Sequence, residues 1–320
     1  MPGLACEFHR FVTDDGLELQ GLWVAPGRPG GRAVVHVHGW DGNCYENRFI
    51  DHAARVASAA GYGFLAFNNR GHDYIADLLR PAKGDYVQLG GMYERLSDCV
   101  PDIAAAIDFV VRRGCREVVL QGHSHGAIKA AHYCATRADR RVHGLVLLSP
   151  SDDLGWGRQM LGHRYDAALR TARRLAKAGR GRELLADGMF PYPVSAGTFL
   201  DAFGPESIAG AFNVSGTDRN EFPELARIRV PVLVAAGTVD EAFVGPTADY
   251  LASIRGRLVN APQVKTAVIP GAPHNYLGKE ARLARVLKQW LAGQSRPKAE
   301  ARARDAGGRS KRASRESIHG

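Results

Sequence analysis

The stretch Leu120-Gln121-Gly122-His123-Ser124-His125-Gly126 decides how this chain is read. Before it, Glu117-Val118-Val119-Leu120 predicts a short buried strand; after it, Ala127-Ile128-Lys129-Ala130-Ala131-His132-Tyr133 predicts a helix rich in small residues. Gly122 and Gly126 let neighbouring backbone pack closely around a strained turn, and such a turn thrusts the Ser124 hydroxyl out above the sheet. The helix behind it adds its N-terminal dipole and the free backbone N–H of His125, which can hydrogen-bond an oxyanion. The stretch reads as a nucleophile elbow with Ser124 as the nucleophile. A serine in a turn otherwise only caps a helix. What favours the chemical reading is the set of partners downstream.

Working outward, strands and helices alternate on both sides of the elbow. Two alternating segments, Glu7 to Thr13 and Leu17 to Val24, flank Asp14-Asp15-Gly16 and predict an opening β-hairpin. Arg32 to His38 predicts a buried strand ending in the glycine-rich loop His38-Gly39-Trp40-Asp41-Gly42-Asn43, at the sheet edge where open α/β sheets bind ligands. A helix over Phe49 to Ala60, a strand over Tyr62 to Asn68 and a long loop from Tyr74 to Tyr93 follow. Val100, Ile103, Ile107 and Val110 then recur at helical spacing before the elbow strand, and Val142 to Ser149 is the strand after the elbow helix.

From Leu154 to Arg227 the alternation stops. A helix with an apolar face (Leu161, Tyr165, Leu169, Leu175) and an arginine-rich one leads into prolines and aromatics, which reads as an inserted, mainly helical cap. Strands over Val230 to Ala236 and Val264 to Ile269 deliver Thr238-Val239-Asp240-Glu241 and Pro273-His274-Asn275, and a helix carrying Leu283, Leu287 and Trp290 closes the fold. The expected organisation is a core over 1–153, the cap over 154–227, the rest of the core over 228–293 and a basic tail over 294–320.

Composition narrows the class. The 320 residues are 45% hydrophobic, ample for a packed core, and no apolar run approaches the roughly 20 residues a bilayer span needs. The expected location is cytoplasmic. Five scattered cysteines (Cys6, Cys44, Cys99, Cys115, Cys134) suggest neither a disulfide framework nor a zinc site. Of the net charge of +9, the tail carries +5, with eight Lys or Arg against three Asp or Glu. With Ile318 as its single large apolar residue, the tail is expected to be disordered and solvated, so neither nucleic acid nor membrane is an expected partner.

A serine hydroxyl is a weak nucleophile at neutral pH and needs a base within reach, oriented by a third group. Strand ends supply Ser124, Asp240 and His274 in that order, the chain order of one convergent triad lineage. Asp152 and Asp153, at the end of an earlier strand, are rivals to Asp240. His36-x-His38 and His123-x-His125 have the look of metal pairs but lack a third ligand and a supporting carboxylate, so neither metal nor cofactor is expected.

The elbow, this triad order and the strand-helix rhythm together resemble the α/β-hydrolase superfamily over about residues 5 to 292. The resemblance implies an α/β-hydrolase fold, with a mostly parallel central sheet, helices on both faces, an opening β-hairpin and an inserted cap. Within that superfamily the sequence is similar to the bacterial capped serine hydrolases, a group dominated by carboxylesterases. The resemblance also implies an oxyanion hole made of the backbone N–H groups of Trp40 and His125. Ser124 excludes the branches that use an aspartate nucleophile, the haloalkane dehalogenases and epoxide hydrolases.

Candidate pocket residues are His38, His72, Phe199 and Phe203, against the plainer alternatives of a hydrogen-bonded loop histidine and aromatics of the cap's own core. The expected function is cleavage of a small-molecule carboxylic ester through an acyl-enzyme. Thioester or amide cleavage by the same residues, or a non-catalytic binding role, are the competing expectations.

Overall fold

The computed structural model describes residues 3–28, 30–207, 212 and 223–294. Its strands are β1 (Glu7–Val12), β2 (Glu18–Val24), β3 (Arg32–Val37), β4 (Tyr62–Asn68), β5 (Ala76–Arg80), β6 (Asp85–Leu89), β7 (Glu117–His123), β8 (Val142–Leu148), β9 (Val232–Gly237) and β10 (Val264–Ile269). Its α-helices are α1 (Phe49–Ala59), α2 (Cys99–Arg112), α3 (His125–Arg137), α4 (Asp153–Leu161), α5 (Tyr165–Lys177), α6 (Ala196–Phe203), α7 (Pro223–Ala226), α8 (Thr247–Arg257) and α9 (Glu280–Gln294).

Eight strands form one sheet in the order β1-β2-β4-β3-β7-β8-β9-β10. The β1-β2 and β2-β4 pairs are antiparallel; every other neighbouring pair is parallel. This is the α/β-hydrolase fold. A parallel sheet must be covered on both faces, so its central strands read as continuous apolar runs: all seven residues of β4 are buried, while the edge strand β1 is mostly exposed.

One face packs against α2, α3 and α8 through Ile103, Ile107, Ile128 and Ile254, and the other against α1 and α9 through Phe49, Leu287 and Trp290. Each such side chain contributes about 1.5–3 kcal/mol by leaving water. The sequence crosses from one half of the sheet to the other between β3 and β7. There the carboxyl ends lie side by side, Val37 opposite Gly122, and His123 of β7 opposite Leu148 of β8. Ligand crevices of open α/β sheets form at such a switch point.

The stretch expected to be one long loop from Tyr74 contains a two-stranded antiparallel hairpin, β5-β6, in which Arg80 and Asp85 pair at the turn. Between β8 and β9, helices α4, α5 and α6 share an apolar cluster of their own that includes Leu161, Tyr165, Leu169, Phe190, Phe199 and Phe203. The end of the expected cap insertion falls partly outside the described residues, and the basic tail lies outside them from residue 295. Among the described residues no helix is long and apolar enough to cross a membrane.

Candidate active site

Ser124 lies between β7 and α3 with φ +58° and ψ −132°, a conformation that non-glycine residues seldom adopt. The glycines around it explain how the turn is held. A Cβ on Gly122 would sit 2.1 Å from the carbonyl oxygen of Gly126, and one on Gly126 would sit 2.3 Å from that of Val37. The loop after β3 presses on the same point: a Cβ on Gly39 would lie 2.8 Å from that of Ser124. The Ser124 N–H donates to Leu148 O at 3.0 Å, which ties the strained residue to β8. Strain of about 1–3 kcal/mol at one residue persists only where the surroundings over-determine it, and such residues cluster at functional sites.

Asp240 follows β9 and His274 follows β10. His274 Nδ1 lies 2.8 Å from Asp240 Oδ1, and the Asp240 side chain is completely buried. Burial opposes charge on both groups, and their mutual hydrogen bond and attraction outweigh it. Asp240 is held below the ordinary carboxylate range, and His274 above the ordinary imidazole range. The Ala242 N–H adds a hydrogen bond to Asp240 Oδ1 at 3.1 Å.

The rival carboxylates are otherwise engaged. Asp152 caps α4, accepting from Gly155 N–H at 2.8 Å, and Asp153 lies 2.7 Å from His125 Nδ1. His123 packs against His274 with ring centroids 4.8 Å apart and planes tilted by 39°, and bonds its carbonyl through Nε2 at 2.9 Å. Burial pushes His123 down to about 3, so it is a neutral support.

Ser124 and His274 open onto one cleft of about 380 Å³. Its floor comes from the loops after β3, β7, β8, β9 and β10, and its wall from Trp156, Met160, Tyr192 and Phe203 of the segment between β8 and β9. The backbone N–H groups of Trp40 and His125, both residues of this lining, donate to no other group among the described residues. Trp40 anchors its ring by donating from Nε1 to Gly91 O at 2.6 Å and packs against Phe190, Tyr192 and Phe203.

Three of the four expected pocket side chains lie elsewhere. His38 is buried away from the cleft; its Nδ1 donates to Gly39 O at 2.8 Å and its Nε2 accepts from Asn69 N–H at 3.1 Å, so it braces the loop beneath the lining. His72 bonds Asp73 through Nδ1 at 2.9 Å, and its backbone bridges to that of Asp41. Phe199 is fully buried among Tyr165, Phe190 and Phe203. Phe203 both joins that cluster and lines the cleft.

Sequence reasoning missed Asp41, Glu46, Trp156, Tyr192 and Glu241 as lining residues. Asp41 and Glu241 carried a usable signal, being neighbours of Trp40 and Asp240. It also missed the buried Lys129, read as part of a small-residue helix, which pairs with Glu94 at 2.5 Å under the site. Among the described residues no cluster of three or more His, Cys, Asp or Glu could hold a metal ion.

The profile of the Alpha/beta hydrolase family matches residues 34–287, more than half of the sequence. The chain belongs to this family. A search of curated protein sequences gives no match. Solved structures similar to this hydrolase-family chain include the siderophore hydrolase EstB from Aspergillus fumigatus. That likeness has a TM-score of 0.67 at 16% identity and covers 92% of this chain and 99% of that one. Est1E from Butyrivibrio proteoclasticus, solved with ferulic acid, aligns at TM-score 0.60 and 18% identity over 89% of this chain and 98% of its own. The monoacylglycerol lipase of Paleococcus ferrophilus aligns at 0.57 and 18% over 91% of this chain and all of its own. At such identities the likeness is one of fold.

Proposed function

We propose that this chain is a cofactor-free serine hydrolase that cleaves a carboxylic ester of a small or medium-sized organic molecule through an acyl-enzyme. The observation that carries this reading is the contact of His274 Nδ1 with buried Asp240 at 2.8 Å, beside a strained Ser124 that opens onto the same cleft. In this reading the Ser124 hydroxyl oxygen attacks the ester carbonyl carbon while His274 Nε2 takes its proton. Asp240 holds the Nδ1 proton and stabilises the imidazolium. The N–H groups of Trp40 and His125 bind the oxygen that becomes negative, each worth about 3 kcal/mol in the transition state. The carbon–oxygen bond to the alcohol then breaks, and the alcohol leaves with the proton from Nε2. Water, deprotonated by His274, attacks the acyl carbon, releases the acid and restores Ser124.

The cleft volume falls within the range of about 300–1,000 Å³ usual for small-molecule sites. The helical segment between β8 and β9 acts in this reading as a cap that selects the acyl group. The test is hydrolysis of a short-chain p-nitrophenyl ester together with labelling by a fluorophosphonate. Activity that disappears as the label appears on the peptide containing Ser124 supports the proposal. Turnover that survives full labelling, or the absence of both turnover and labelling, rejects it.

A further inference from the structure

The cleft differs in charge from the rest of the chain. The sequence holds 42 Lys and Arg against 33 Asp and Glu, yet no lysine or arginine is among the lining residues, while Asp41, Glu46, Asp153 and Glu241 are. Asp153 is occupied by His125. Of the other three, Glu46 accepts from Asn43 Nδ2 at 3.3 Å and Glu241 from the His274 N–H at 3.4 Å, both neutral donors, and Asp41 has the neutral Tyr74 phenol beside it. Among the described residues no lysine or arginine pairs with any of them. Burial above all, with the Glu46 and Glu94 carboxylates, pushes Asp41 up to about 6, against the Tyr74 phenol and the Lys129 ammonium buried behind the lining.

Two further observations at the same cleft point to an occupant. The first is an aromatic wall. Tyr192 stacks on Trp156 with ring centroids 6.4 Å apart and planes 6° from parallel, meets Trp40 edge-on at 5.8 Å, and stacks on Tyr74 at 5.7 Å. Trp40, Trp156 and Tyr192 all line the cleft, and the negative faces of such rings attract a cation. The second is Ser151. This lining residue is 4% exposed, and its Oγ is buried without a hydrogen-bond partner. A buried hydroxyl with no partner in the protein has its hydrogen-bonding capacity free for a group that enters the cleft.

We infer that the cleft takes an ester carrying a positively charged nitrogen, seated between the Trp40, Tyr192 and Trp156 rings and the carboxylates of Asp41, Glu46 and Glu241. This inference rests on the proposed hydrolase reading and adds the substrate class to it. Glu46 and Glu241 are exposed at the rim, so they steer the cation in at long range and their effect is screened by salt; Asp41 is half-buried and acts at contact.

The test uses two esters of one shape and different charge: acetylcholine, and 3,3-dimethylbutyl acetate with carbon in place of nitrogen. Each is offered to the full chain as a substrate and as a competitor of p-nitrophenyl acetate hydrolysis, so that affinity is read even for an ester that turns over slowly. The cationic ester is expected to compete at a concentration at least tenfold lower. That preference should shrink severalfold in Glu46→Gln and in Glu241→Gln, and on raising the salt from 20 to about 500 mM. The thermal melt of each variant reports any loss of fold, and the preference is read as a ratio between the two esters so that a change in the basal rate cancels. Equal or better competition by the neutral ester, or competition by neither, overturns the inference and leaves the hydrolase reading standing. Failure both to hydrolyse p-nitrophenyl acetate and to take the fluorophosphonate label removes both.

Discussion

The carboxyl edge of the sheet and the helical segment that walls the cleft solve different problems with different parts of the chain. At the edge, position is set by backbone: Gly122, Gly126 and Gly39 are pressed to where no Cβ fits, and parallel pairing brings the ends of β3, β7, β8, β9 and β10 together. In the wall, position is set by side chains packing on one another, with Phe190, Phe199 and Phe203 in mutual contact at 4.8–5.8 Å. The first arrangement fixes a few atoms to within a fraction of an ångström. The second fixes a volume. Chemistry that needs a nucleophile, a base and an acid in register belongs on the first, and selection among substrates belongs on the second.

The sharpest way to break this division is at Ser124. Ser124→Ala is expected to lower kcat for a p-nitrophenyl ester by about 10⁶ while leaving the thermal melt unchanged, because the half-exposed side chain contributes little packing. A variant that keeps kcat within tenfold of the parent assigns the nucleophile elsewhere.

Next in size is the acid. Asp240→Asn removes the group that fixes the tautomer and charge of His274, and kcat is expected to fall by about 10⁴. Asp152→Asn and Asp153→Asn, at positions bonded to Gly155 N–H and His125, are expected to stay within tenfold of the parent. The reverse pattern moves the acid to the end of β8. The pH profile carries the same argument with a sign. In the proposed mechanism the base must be neutral, and the Asp240 carboxylate outweighs burial to hold His274 above its ordinary 6.5. Activity is therefore lost as pH falls, with the midpoint of the acid limb of kcat/KM above 6.5. A limb below 6.5 in the parent chain contradicts the pairing.

The same division explains what was legible in the sequence. The elbow, the opening hairpin, the strand ends and the order Ser124, Asp240, His274 follow from period, glycine spacing and chain order, which are local or topological properties. Asp240 was separable from Asp152 and Asp153 only by position relative to His274, and the geometry adds what their side chains do. The hairpin over Ala76–Leu89 reads as loop because Asp77, Asp85 and Gln88 interrupt its apolar pattern, as suits a two-stranded ribbon apart from the main sheet. In the wall, Phe199 and Phe203 are four residues apart on one helix and so read alike; only the tertiary packing tells which one reaches the cleft. The same holds for His38, whose place beside a glycine loop pointed to the cleft while both its nitrogens are spent on backbone.

The smallest expected effect is also the one that tests the wall most directly, by treating those two phenylalanines as a pair. Phe199 is fully buried and absent from the cleft lining; Phe203, 2% exposed, is part of both the cluster and the lining. Replacement by Leu keeps an apolar side chain in each place and avoids the cost of about 3–5 kcal/mol that a buried Phe→Ala change carries. Phe199→Leu is expected to lower the melting temperature and leave the order of preference along a C2 to C8 series of p-nitrophenyl esters as it was. Phe203→Leu opens the wall beside Trp156 and Trp40 and is expected to shift the preferred acyl length upward, with the ratio of kcat/KM values for the longest and shortest esters changing by about tenfold. The ratio is the quantity to measure because a general loss of folded enzyme cancels from it. Equal ratios in the two variants, both different from the parent, mean that the cluster moves as one body and that the whole helical segment sets the pocket. Equal ratios matching the parent take acyl selection away from Phe203 and assign it to the remaining wall residues, Trp156, Met160 and Tyr192.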